Sequence, residues 1–158
     1  MVSSVRPLGR VESELHCLRY VFPETAALPA ASGQEISEVS EADIHLICGS
    51  SEYGAYISPE YIQEALRTGY SAAVRVAARL AAWAITHDDL AIGNLHVLPE
   101  FRRRGYAAAV VLALMKSLRD AGMVPVMNIE AENGPSRALA RRLGFQEDRA
   151  VSWLKLAK

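Results

Sequence analysis

The chain has 158 residues, half of them apolar (51%), enough for one domain with a real core and too apolar for disorder. Its 17 Lys and Arg against 18 Asp and Glu leave a net charge of -1, which argues against a generally basic nucleic-acid binder. Cys17 and Cys48 are too few and too far apart for a disulfide framework or a metal or redox spacing, and no apolar run has the length of a membrane helix, so the expected setting is reducing and cytoplasmic.

Met1 to Arg10 has two arginines and no apolar stretch of the kind a secretory signal needs. Leu15 to Phe22 reads as a strand or a short helix, and Pro23, Pro29 and Gly33 punctuate an alanine-rich loop. Residues 1–33 are therefore set apart as an N-terminal extension, with the domain proper over 34–158. Gln34 to Val39 reads as a strand. Ser40 with Asp43 three residues on signals a helix from Glu41 to about Cys48. Ser58-Pro59 opens a second helix, closed at Gly69. Strands follow at Ser71–Ala77 and Leu80–Thr86, linked tightly by Ala78-Arg79, and a turn at His87-Asp88-Asp89 leads into a strand over Leu90–Leu98. A long helix spans Arg104–Ala121 and stops at Gly122. Val124–Ala131 is a strand, Asn133-Gly134-Pro135-Ser136 starts the last helix, and Phe145–Leu156 supplies one or two final strands. Strands first, then strand-helix-strand-helix-strand, give a single α/β (α+β) domain with a mixed sheet.

The chemistry concentrates at residues 93–107. A strand runs into Pro99, three arginines (Arg102, Arg103, Arg104) follow, and Gly105 opens the long helix. Small residues at Gly105 and Ala107 let the backbone approach a phosphate. Helix N-terminal amides are unpaired donors, and arginines add charge-assisted bonds. On its own the pattern also fits a charged turn capping a helix.

The strand Asn94-Leu95-His96-Val97 with Leu98-Pro99-Glu100-Phe101-Arg102 and the spacing Arg102-x-x-Gly105-x-Ala107 resembles motif A of the GNAT-type N-acyltransferases. Asn133 with Ser136, Leu139 and Leu143-Gly144-Phe145 resembles their motif B. A narrower resemblance, carried by Leu80–Thr86 and Leu95–Arg102, is to the C-terminal domain of glycine N-acyltransferase-like proteins. The resemblance implies a mostly antiparallel sheet of about six to seven strands, splayed at the cofactor site and flanked by about four helices. It implies acetyl-CoA or another acyl-CoA as co-substrate, no metal, and a small-molecule amine, such as an amino acid, as acceptor. The pantetheine arm would pair with Leu95 and Val97 beside His96, and the pyrophosphate would sit on Arg102, Arg103, Arg104, Gly105, Tyr106 and Ala107. Asn133, supported by Ser136, would face the pantetheine or the developing thiol. The Val97 amide would polarise the thioester carbonyl. No nucleic-acid or membrane partner is implied, and a homodimer is compatible with the family.

Two positions depart from the pattern. The base expected on the motif A strand falls on Ala91 or Gly93, and the tyrosine expected in motif B falls on Ala140. Candidate substitutes are His96, set by strand alternation on the face opposite Leu95 and Val97 and so equally readable as a packed histidine; Glu132, with Glu130, at the end of the following strand; and Tyr56, with Tyr53 and Tyr61, from the segment that would roof the acceptor. Asp88 and Asp89 read as turn residues, Trp83 and Trp153 as core, and Arg137 as a solvated helix residue within reach of a ribose phosphate. The gaps leave two readings open: an acyltransferase relying on positioning and water, or a module that binds acyl-CoA without turning it over.

Overall fold

The computed structural model describes residues 9–54 and 56–157. Six strands, β1 (Val11–Val21), β2 (Ser71–Val76), β3 (Arg79–Thr86), β4 (Ile92–Val97), β5 (Val126–Glu130) and β6 (Gln146–Leu156), form one sheet in the order β2-β3-β4-β5-β1-β6. Four α-helices, α1 (Ile44–Ser50), α2 (Pro59–Thr68), α3 (Tyr106–Asp120) and α4 (Gly134–Arg142), flank it. Every neighbouring pair is antiparallel except β4 and β5. The expected mixed, mostly antiparallel sheet is therefore present.

Both faces of β2 and β3 are covered, which explains why β3 reads as an unbroken apolar run with Leu80 to Thr86 all buried. Ala82 and Ala84 face α3, where Val110, Val111, Leu114, Met115 and Leu118 pack with Tyr20, Phe22 and Phe145. Ala81, Trp83 and Ile85 face the other way, against Ile47 of α1 and Ile62 and Ala65 of α2. Alanine at these strand positions lets the helices lie close on the sheet. The signals at α2 act as expected: the Ser58 hydroxyl accepts from the Tyr61 N–H (3.1 Å), a cap typically worth about 1 kcal/mol.

Four expectations need correction. Residues 11–21 are not an extension: β1 lies between β5 and β6, so the boundary at residue 34 cuts through the sheet. The part of that extension over residues 1–8 lies outside the described residues. The stretch 34–39 is not a strand but a single bridge, Ser37 to Ala73, because its other bonds to β2 go to the side chains of Ser71 and Arg75 rather than to backbone. The tight link is Ala77-Ala78, one residue earlier, both with positive φ (49° and 65°), the backbone that a two-residue hairpin demands. Trp153 is not core; it stands half-buried on an overhanging ribbon.

That ribbon arises because β1 and β6 outrun β5. The last β1–β5 pair is Cys17 with Glu130, while β1–β6 pairing continues from Cys17–Val151 to Val11–Leu156. Residues 11–16 and 152–156 project beyond the sheet, and the face of Trp153 comes to 5.3 Å (ring centroids) from His87. Among the described residues no helix is long and apolar enough to cross a membrane.

Candidate active site

The site begins with a break in the sheet. β4 and β5 run parallel and share one registered pair, Ile92 with Met127. From Gly93 onward β4 leaves β5 while staying paired to β3. Asn94 takes a left-handed conformation (φ 45°) where the β3–β4 register shifts, the mark of a bulge that re-aims a strand. Leu98 donates its N–H to Ala81 on the β3 side (2.9 Å), so alternation points the backbone groups of Val97 and Leu95 into the opening. The Leu95 groups and the Val97 N–H are edge groups positioned for an extended amide-bearing arm, while the Val97 carbonyl accepts from Arg102 Nε (3.3 Å).

The opening leads to the start of α3. Gly105 is the N-cap, with φ 78° and no side-chain cap, so the first amides of α3 have no side-chain partner. Arg103 is also left-handed (φ 61°), and the space where a Cβ on Gly105 would stand is empty to 4 Å. Arg102, Arg103 and Arg104 are exposed; Arg102 Nε reaches the Val97 carbonyl (3.3 Å) and the Arg104 guanidinium lies over the Phe101 ring. Tyr106 and Ala107 form the half-buried first turn. A convergence of unpaired amides, a bare glycine and nearby guanidinium groups fits a pyrophosphate.

On the far side of β5, the Asn133 side chain accepts from the Ser136 N–H (3.2 Å), capping α4. It also stands beside Tyr53, whose hydroxyl donates to Glu130 (2.9 Å). Burial and that bond push Tyr53 up to about 12. Burial, with Glu130 across the strand pair, pushes the Cys17 thiol up to about 11, which keeps it protonated. The Tyr56 hydroxyl donates to Ser13 Oγ on the ribbon (2.8 Å). Tyr53 and Tyr56 thus tie the stretch between α1 and α2 to β5 and to β1.

The three proposed catalytic side chains do not come together as a unit. His96 is on the α2 face, as alternation requires, stacked on Trp83 (centroids 4.9 Å), and burial followed by the Arg102 charge lowers its pKa. Tyr56 is spent on Ser13. Glu132 is exposed in the turn after β5 and makes no ion pair or side-chain hydrogen bond among the described residues. Arg137, expected toward solvent or a ribose phosphate, turns inward to the Tyr20 hydroxyl (3.1 Å) and the Ala131 carbonyl (3.1 Å).

What the sequence reading passed over is His87. Taken there as part of a turn, it packs under Trp153 with Nδ1 at 2.6 Å from the Tyr61 hydroxyl. A Cβ placed on Gly93 would meet His87 Nε2 at 2.0 Å. The imidazole fills the space that a side chain at 93 would need. The signal available was the glycine itself: a strand glycine marks a close approach.

An open sheet parted at one strand pair, with an uncapped helix start at the end of the gap, defines the class of the GNAT acetyltransferases. A family model described as FR47-like protein matches residues 71–154, and the chain belongs to that family. A curated relative, the [ribosomal protein bS18]-alanine N-acetyltransferase of Salmonella typhimurium, is 36% identical over 73 residues, covering 44% of this chain and 49% of the relative. A Drosophila protein of known structure superposes with a TM-score of 0.81 at 25% identity, over 92% of this chain and 52% of its own. A Novosphingobium aromaticivorans protein described as an acetyltransferase of the GNAT family gives 0.72 at 23% identity, over 96% and 68%. The chain thus spans about half the length of the Salmonella and Drosophila relatives.

Proposed function

We propose that this chain transfers an acyl group, acetyl in the first instance, from acyl-CoA to a primary amine by direct attack on the thioester. The observation that carries the reading is the parting of β4 from β5 after Ile92, with the uncapped start of α3 at its mouth. Acyl-CoA would lie with its pantetheine along Leu95 and Val97, its pyrophosphate on the 103–107 amides, and its sulfur toward Asn133. The Val97 N–H, on the open side of β4, would polarise the carbonyl oxygen.

The acceptor would enter from the α2 face, under the 51–58 loop. The ties from Tyr53 to Glu130 and from Tyr56 to Ser13 hold that segment against the sheet, which favours a small amine over a protein chain. Glycine and related amino acids belong to that class. The Salmonella relative is named for an alanine amine on a ribosomal protein, and a peptide with N-terminal alanine is the natural competitor. Incubation with acetyl-CoA and either glycine or an alanine-led peptide, with free thiol followed, tests the reading. Thiol release that depends on glycine supports it. Release with the peptide alone reassigns the acceptor. Acetyl-CoA binding without release from any amine converts the chain into a binding module.

A further inference from the structure

We infer that His87 is the general base of this site, working through Nε2 from the end of β3 in the space left by Gly93, with Tyr61 as its positioning residue. The inference rests on the acyl-transfer reading above and adds to it the group that handles the proton. Gly93 sits where a base is expected and has no side chain. The imaginary Cβ at that position falls 2.0 Å from Nε2, so the imidazole nitrogen occupies the place from the neighbouring strand. Glycine at 93 is what makes the exchange possible.

The ring is held on two sides and its backbone is pinned. The His87 main-chain N–H donates to the Ala91 carbonyl (2.9 Å), the Trp153 ring packs at 5.3 Å between centroids, and the Tyr61 hydroxyl engages Nδ1. Nε2 has no hydrogen-bond partner among the described residues, yet it is not among the sealed, unpaired polar atoms. It is therefore the ring's free atom. A tyrosine hydroxyl can both donate and accept, so Nδ1 can carry the proton while Nε2 presents its lone pair. The titratable groups around the ring are Tyr61 from α2 and Asp88 and Asp89 from the turn. Burial lowers the His87 pKa against the opposing pull of the two aspartates, which keeps the ring neutral near pH 7. Burial pushes Tyr61 up to about 12, so it stays a hydroxyl.

The step balances without any further reactant. The acceptor ammonium gives one proton to Nε2, and the freed lone pair forms the C–N bond as the carbonyl electrons move onto oxygen. Collapse breaks the C–S bond, with the electron pair on sulfur. The thiolate takes the second nitrogen proton through solvent, and the imidazolium returns the first to water.

The test separates proton removal from structural support by using two amines of similar size. Ethylamine is an ammonium at neutral pH and needs a base; trifluoroethylamine is largely free amine and does not. Thiol release from acetyl-CoA is measured with each at saturating concentration, alongside acetyl-CoA affinity by calorimetry. In H87Q, release with ethylamine is expected to fall about a hundredfold, with trifluoroethylamine changed less than about threefold and affinity held. Y61F, which keeps the ring and removes only the hydroxyl, is expected to show the same selectivity at about tenfold, and it serves if H87Q does not fold. Equal loss with both amines, or no loss with either, overturns the inference. Glycine serves as a third amine: acetyl-CoA binding in the wild type with no release from any of the three overturns both the transfer reading and the base and leaves the cofactor site standing, whereas release from glycine with an unchanged rate in H87Q keeps the transfer reading and overturns the base.

Discussion

The two sides of β4 are built by opposite means. On the α3 side, the proposed anion site is built from backbone: one contiguous stretch, 93–107, with edge groups, a left-handed turn and the amides of a helix start. On the α2 side, chemistry comes from side chains of distant segments, Tyr61, His87 and Trp153, gathered around Gly93. A backbone device needs only that its own segment fold correctly. A side-chain device needs strand pairing, helix packing and the ribbon to be in place at once. The first therefore depends on local sequence alone, and the second depends on the whole fold.

Each side can be broken separately. Gly105→Glu places bulk and negative charge in the empty space above the α3 start. It is expected to weaken acetyl-CoA binding by at least about a hundredfold, with stability lowered only by the roughly 1 kcal/mol that a side chain at positive φ costs, since no neighbour lies within 4 Å of the new Cβ. The melting control matters because the substitution also puts a Cβ at positive φ. Gly93→Ala does the reverse. Its methyl cannot coexist with the imidazole, so turnover of ethylamine is expected to fall about tenfold or more while acetyl-CoA affinity is kept.

A pH series sharpens the contrast through stability. His87 is held neutral in the fold, so its folded pKa lies below the ordinary 6.5 of the unfolded chain. The unfolded state then binds more protons as pH falls below about 6.5, and stability drops in that direction. Part of the loss of melting temperature between neutral and mildly acidic pH is expected to vanish in H87Q. The smallest effect lies away from both sides: Ala78→Gly relieves a positive φ of 65° in the β2–β3 turn and is expected to stabilise by roughly 1 kcal/mol in denaturant melts, with acetyl-CoA affinity and turnover untouched.

The same division governs what could be read in the sequence. The α3 start was legible because Pro99, the arginines and Gly105 are consecutive, and Ser58-Pro59 and Asn133-Pro135 announced α2 and α4 in the same local way. The order of strands was legible from β2 onward. β1 was not, because its partners lie more than a hundred residues away and its charges, Glu12, Glu14 and Arg19, blur the period-two pattern. Its misplacement hid the ribbon, and with the ribbon went Trp153. His87 was lost for a related reason: next to two aspartates it has the composition of a turn, and only the register of β3 against β4 puts it over Gly93. A glycine can be seen in a sequence, but the side chain that fills its place cannot.

Acyl-CoA binding in the parting between β4 and β5, with the phosphates on the α3 start, is the step on which every role proposed above depends. Amide hydrogen exchange with and without acetyl-CoA measures it. Slowed exchange is expected at Leu95, Val97 and residues 103–107, with little change along β2 or the outer turns of α2. Protection that misses 95–107, or that is centred elsewhere in the chain, would contradict it.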